Sequence, residues 1–167
     1  PAASVADTFQ LTVTNTNDSP FFTSTQVTVA TEDVSYNYEI SVEDADADDP
    51  RADLTISAPT LPAWLTLEAT GDGAARISGM PGNDQVGTHD VRLRVTDDQQ
   101  SAIDQAFTIT VANVNDAPIL TPLDPGPELT EISEDEVGNA GQSVASIVGN
   151  SITDIDATPV EGIAIFA

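Results

Sequence analysis

The chain has 167 residues, with 28 Asp and Glu against four Arg and no Lys, giving a formal net charge of -24. Such a polyanion is repelled by nucleic acid and by anionic membranes, and the lack of cysteine excludes disulfides, thiolate metal sites and a cysteine nucleophile. No apolar run approaches the roughly 18 residues of a membrane span, and a hydrophobic share of 40% with only 5% aromatic residues implies a core of Val, Ile, Leu and Ala.

The first element in chain order is Phe9-Gln-Leu-Thr-Val-Thr-Asn-Thr-Asn-Asp-Ser-Pro20, which returns 98 residues later as Phe107-Thr-Ile-Thr-Val-Ala-Asn-Val-Asn-Asp-Ala-Pro118. Each copy is an alternating apolar series (Phe9, Leu11, Val13; Phe107, Ile109, Val111) ending in an Asn/Asp/Pro cluster, the pattern of a last strand running into a linker. A period near one hundred residues is the size of a whole β-sandwich domain. The expected division is residues 1–16 as the last strand of a preceding repeat, 17–115 as one complete unit with its linkers, and 116–167 as the start of a following, incomplete repeat. The chain therefore reads as an interior piece of a longer protein.

Within the complete unit, Val27 and Val29, then Tyr36, Tyr38, Ile40 and Val42, then Leu54 and Ile56, and later Val91, Leu93 and Val95, have the period-two spacing of strands with one buried face. Asn37, Glu39, Ser41, Arg92 and Arg94 then face water. Turn signals at Asp49-Pro50, Gly71-Asp72-Gly73 and Pro81-Gly82-Asn83 separate the runs, leaving about seven short strands. Beyond Pro118 the apolar residues Ile147, Ile152, Ile163 and Ile165 have too few companion strands to bury them.

Oxygen-bearing side chains gather where the repeat places domain ends: Asn15, Asn17 and Asp18 before the unit, Asn113, Asn115 and Asp116 after it. Asp44-Ala-Asp46 follows the Tyr36–Val42 run, Asp97-Asp98 follows the Val91–Val95 run, and Asp154-Ile-Asp156 repeats the Asp-x-Asp pattern. Hard oxygen donors in such groups suit calcium. The EF-hand reading of Asp44-Ala-Asp46-Ala-Asp48-Asp49 fails, because position six is Asp49 instead of Gly and position twelve is Thr55 instead of Glu. His89, the only histidine, has no nucleophile elbow around it and reads as a strand-edge surface residue. Trp64 reads as core, and Asp72 and Asp84 as turn formers.

These residues resemble the cadherin family, and within it the dystroglycan-type cadherin-like branch found in large bacterial surface proteins. The family's linker pattern Asp-x-Asn-Asp-Asn-Ala-Pro is similar to Asn15-Thr-Asn17-Asp18-Ser19-Pro20 and to Asn113-Val-Asn115-Asp116-Ala117-Pro118, with Asn in place of the first Asp. Its Asp-x-Asp pair matches Asp44 and Asp46, its Asp after the penultimate strand Asp97, and its early Glu resembles Glu32. Leu61-Pro-Ala-Trp64-Leu-Thr-Leu67 and Gly79-Met-Pro-Gly-Asn-Asp84-Gln-Val-Gly87-Thr resemble the dystroglycan-type branch, while the family's middle Asp-Arg-Glu motif is missing.

The resemblance implies an all-β, immunoglobulin-like (cadherin-like) Greek-key sandwich in tandem, exported to the cell surface or secreted, with calcium stiffening its junctions. The first junction would use Asn15, Asn17, Asp18, Asp44, Asp46 and Asp97, and the second Glu32, Asn115, Asp116, Asp154 and Asp156. The implied partners are neighbouring repeats and a homophilic, protein or glycan ligand, with no nucleic acid and no membrane insertion. The implied role is structural or adhesive and not enzymatic; the alternative is a carbohydrate-binding module, which would need an exposed aromatic such as Trp64.

Overall fold

A computed structural model describes residues 7–46, 53–122 and 151–156, with 126, 128, 131–135, 137, 138, 140–143 and 146 between them. The Asp49-Pro50 turn, Arg51 and the apolar residues Ile147, Ile163 and Ile165 lie outside the described residues.

Among the described residues eight strands build a sandwich: β1 (Phe21–Phe22), β2 (Val29–Thr31), β3 (Tyr36–Glu43), β4 (Thr55–Thr60), β5 (Leu65–Gly71), β6 (Ala74–Gly79), β7 (Gly87–Thr96) and β8 (Ala102–Ala112). One sheet has the order β1-β3-β6-β5 and the other β2-β8-β7-β4, so the chain crosses between layers after β1, β2, β3, β4 and β6 and stays within a layer only at the β5–β6 and β7–β8 hairpins. All pairings within the sandwich are antiparallel except that of β2 with β8, which is parallel over Val29–Thr31 and Thr110–Ala112. A further pair, β9 (Ile119–Leu120) with β10 (Ile152–Thr153), lies past the sandwich.

The alternating residues meet between the sheets as the spacing predicts. Tyr36, Tyr38, Ile40 and Val42 on β3 and Ile77 on β6 face Val91, Leu93 and Val95 on β7 and Ile109 and Val111 on β8 in one buried cluster. Each fully buried aliphatic side chain contributes about 1.5–3 kcal/mol of transfer free energy. The two tyrosine hydroxyls of this core find partners: that of Tyr38 donates to Gln105 Oε1 (2.9 Å), and that of Tyr36 donates to the Val27 carbonyl (2.6 Å), whereas the buried Trp64 Nε1 has none. Burial, then the neighbouring Tyr38, pushes the Tyr36 hydroxyl up to about 12, so this donor keeps its proton. The β5–β6 connection closes at Gly73, whose φ of 62° is the left-handed conformation that glycine adopts without strain.

Three expectations are corrected. Val27 and Val29 are exposed, and Ala30 and Glu32 take the inward positions, because Glu32 has a backbone amide to accept. Phe9–Val13 is not a strand in this chain and its apolar side chains are exposed, since a strand needs a ladder partner and none is present among the described residues. His89 is not a bare strand-edge residue: its ring packs edge-on against Trp64 and its Nε2 is 2.7 Å from the Gln85 carbonyl oxygen.

The outward faces are polar. Arg92 and Arg94 on β7 both reach Asp104 on β8, and Arg76 reaches Glu68 at 2.8 Å. Hydrogen bonds from Arg94 and then Arg92 hold the Asp104 carboxyl down at about 2. A depressed acid stabilises the fold above the unfolded-state value near 4 and loses that contribution as pH falls through about 2. Its carboxyl carbon is therefore expected to titrate near 2 by NMR, and to return toward 4 in the double variant Arg92→Gln, Arg94→Gln.

Candidate functional site

Loops at one pole of the sandwich hold the first cluster. Asp44 and Asp46 follow β3, where the strand ends and the Asp44 carboxylate turns the chain by accepting the Asp46 N–H at 2.9 Å. Asp97 follows β7 and accepts the Ser101 N–H at 2.7 Å, fixing the β7–β8 turn. The linker lies across both loops. Asn15 Nδ2 donates to Asp46 Oδ1 (2.7 Å), the Asp18 N–H donates to Asp46 Oδ2 (2.7 Å), and Asn17 Nδ2 donates to Asp97 Oδ2 (3.1 Å) and to the Asp18 carbonyl (2.8 Å). All six residues expected at the first junction are thus brought together.

The linker-to-loop part of this arrangement recurs after β8, where Asn115 Nδ2 donates to the Asp116 carbonyl (2.6 Å) and no counterpart of the Asn17–Asp97 bond is seen among the described residues. Asn113 Nδ2 donates to Asp156 Oδ1 (2.9 Å), the Asp116 N–H to Asp156 Oδ2 (2.9 Å), and the Asp156 N–H to Asp154 Oδ1 (3.0 Å). Glu32 joins from the sandwich, because the Glu32 N–H donates to the Ala112 carbonyl (2.9 Å) and Glu32 Oε2 accepts the Val114 N–H (3.0 Å). Partial burial, then the charges of Glu32, Asp156, Asp33 and Asp154, push the Asp116 carboxyl up. A raised acid favours the fold in its protonated form and opposes it as pH rises through the folded value.

A cleft of about 610 Å³ opens here, lined by Glu32, Asp116 and Asp154 and also by Asp33 and Asn83. Sequence reasoning missed Asp33 and Asn83 as members of this site. The signals were a non-glycine residue in a turn, since Asp33 has φ 56°, and the Pro81-Gly82-Asn83 turn, whose Pro81 carbonyl accepts the Asp33 N–H at 2.8 Å.

The electrostatics of the two clusters set them apart from ordinary acidic turns. Glu32, Asp46 and Asp97 are only 1%, 6% and 3% exposed. Buried carboxylates normally require a cation or a full set of donors. Among the described residues Arg76, Arg92 and Arg94 are all engaged with Glu68 or Asp104 on the sheet faces. Asp44 Oδ2 is buried with no hydrogen-bond partner. These donors are hard oxygens, which fit a calcium ion by type. Among the described residues, however, no three acidic or histidine side chains form a ready metal-binding group; the carboxylates are interleaved with Asn amides.

Trp64 is half-buried, edge-on to both Tyr36 and His89 at 5.8 Å between ring centroids. Its faces are not an open platform for stacking a sugar ring. No helix among the described residues is long and apolar enough to cross a membrane.

Comparison with known proteins gives a family match over residues 19–112, described as "Putative Ig domain" (He_PIG). No curated protein matches the chain. Among solved structures it is similar to the endo-fucoidan hydrolase MfFcnA4 of glycoside hydrolase family 107, at 24% identity and TM-score 0.49, covering 57% of this chain and 14% of that one. It is also similar to the SrpA adhesin of Streptococcus sanguinis, at 14% identity and TM-score 0.47, covering 72% and 71%. The cis-dimer of protocadherin gammaB7 gives 17% identity and TM-score 0.49, covering 61% and 26%.

Proposed function

The chain belongs to this family of immunoglobulin-like domains, and we propose that it is a calcium-binding structural or adhesive module of an extracellular surface protein, a cadherin-like repeat of the dystroglycan type. The observation that carries this reading is the crowding of carboxylates at the two poles, where Glu32, Asp46 and Asp97 are buried, only N–H donors and no cation among the described residues offset their charge, and Asp44 Oδ2 is buried without a partner. A divalent ion supplies that charge. At the first pole Asp18, Asp44, Asp46 and Asp97, with the amide oxygens of Asn15 and Asn17, would hold it. At the second, Glu32, Asn115, Asp116, Asp154 and Asp156 would do so, with Asp33 and Asn83 on the cleft wall.

Bound between the end of the sandwich and the linker, the ion would neutralise mutual repulsion among the carboxylates and fix the angle of the joint. A row of such modules then acts as a stiff extender that presents an adhesive surface away from the cell. The carbohydrate-binding alternative has no support from Trp64, whose ring is occupied by Tyr36 and His89.

Calorimetric titration of chelator-stripped protein tests the reading. Calcium is expected to give saturable heat with a dissociation constant of roughly 10⁻⁴ to 10⁻³ M, the range of extracellular modules. Magnesium, which is smaller and dehydrates reluctantly, should bind more weakly. Absence of saturable calcium heat through the millimolar range would remove the proposal.

A further inference from the structure

We propose that Asn15 and Asn113 are amide clasps that seat each linker on its Asp-x-Asp loop before any metal binds. This goes beyond the calcium reading and does not depend on it. The observation is a hydrogen-bond pattern that occurs twice. Asn15 donates to Asp46 and Asn113 to Asp156 through Nδ2; the N–H groups of Asp18 and Asp116 donate to the other oxygen of the same carboxylates. Asn17 and Asn115 each close the linker on itself by donating to the carbonyl of the next residue, at 2.8 and 2.6 Å. The Asp46 and Asp156 amides are held in turn by Asp44 and Asp154. The surrounding sequences differ, Ala45 against Ile155 and Thr16 against Val114, so the recurrence belongs to the Asn and Asp residues themselves.

The chemistry of the amide explains why Asn serves here. Both oxygens of Asp46 and of Asp156 are engaged by one side-chain N–H and one backbone N–H, and such charge-assisted bonds are about twice as strong as neutral ones. An Asp at position 15 or 113 has no N–H to give and would set a second negative charge against the first. The linker would then leave the loop until a cation arrived. With Asn the linker is docked by the chain's own donors, and after β8 it is gripped from the sandwich side as well, since Val114 N–H donates to the buried Glu32. The linker therefore stays seated on its loop at low calcium.

Amide hydrogen exchange by NMR on the 167-residue chain in excess chelator tests this. Wild-type Asp18 and Asp116 amides are expected to be protected. Asn15→Asp should lose protection at Asp18 by about tenfold or more while Asp116 is unchanged, and Asn113→Asp should do the reverse, each junction serving as the folding control for the other. Free-peptide exchange of both amides in the wild type would overturn the clasp, as would wild-type protection in both variants. Added calcium separates this from the metal reading. Protection that persists in wild type and vanishes in the variants, with calcium changing neither, supports the clasp and counts against the metal alone.

Discussion

Calcium at about 10 mM is expected to raise the melting temperature of the chain by roughly 5–20 °C, and Asp44→Ala to remove the first junction's share of that gain. An ion that binds only the folded form adds about 1.4 kcal/mol at a tenfold and about 2.7 kcal/mol at a hundredfold excess over its dissociation constant, the span that about 10 mM covers. For a sandwich of this size each kcal/mol moves the transition by roughly 4–8 °C. Sodium chloride at equal ionic strength should do much less, because monovalent ions screen the -24 charge without occupying the clusters.

The choice of Asp44 rests on its two oxygens. Oδ1 accepts the Asp46 N–H, a bond contributing about 0.5–1.5 kcal/mol, whereas Oδ2 is buried without a partner, which costs about 1–3 kcal/mol. Alanine removes both, so the chelator-treated melting point should stay nearly constant or rise slightly. Only the calcium-dependent part should fall. Equal calcium responses in wild type and Asp44→Ala, scanned side by side, would show that the acidic loops are solvated turns.

What the sequence disclosed, and what it did not, follows from the range of the forces involved. Tyr36 to Val42 and Val91 to Val95 were legible because each apolar residue alternates with a polar one, and a sandwich must bury one face of such a strand. The Asn-Asp groups were legible because they recur at the 98-residue period, and the Asp-x-Asp groups because each repeats one pattern after an Asn-Asp linker, although 110 residues separate Asp44 from Asp154. The inward turn of Glu32 was not legible as a strand position. A glutamate is buried only when a donor waits for it, and that donor, Val114, is 82 residues away. Asp33 and Asn83 escaped for the same reason: the β2–β3 and β6–β7 turns meet only after the sheets have formed. Nor could the clasp be read beforehand. Asparagine can donate or accept, and which it does at Asn15 is decided by the carboxylate of Asp46 that folding places opposite.

The other large effect is expected at Gly79, far from any charge. Gly79 ends β6, where it pairs with Tyr36 of β3 on one side and Leu65 of β5 on the other. A Cβ built there collides with the Trp64 carbonyl oxygen and stands 3.1 Å from Cε3 of the Trp64 ring. The backbone cannot retreat without breaking a ladder on one side or the other, and the ring cannot swing away because it is packed against Tyr36 and His89. Overpacking of this kind costs about 1–3 kcal/mol when side chains can yield; here the obstacle is backbone, which places Gly79→Ala at or above the top of that range. A fall in melting temperature of roughly 10–20 °C is expected. Gly71→Ala is the control, since nothing lies within 4 Å of its Cβ position, and its melting point should remain close to wild type. The damage should also travel. Pro81, two residues on, accepts the Asp33 N–H beside Glu32, so displacing the end of β6 shifts the wall of the 610 Å³ cleft. Gly79→Ala should therefore weaken calcium binding at the second junction more than at the first, whose ligands hang from the other ends of β3 and β7. Paired measurement of the Asp18 and Asp116 amide shifts during a calcium titration reads that difference directly, and equal weakening at both, or none at Asp116, would break the link between this packing contact and the pole.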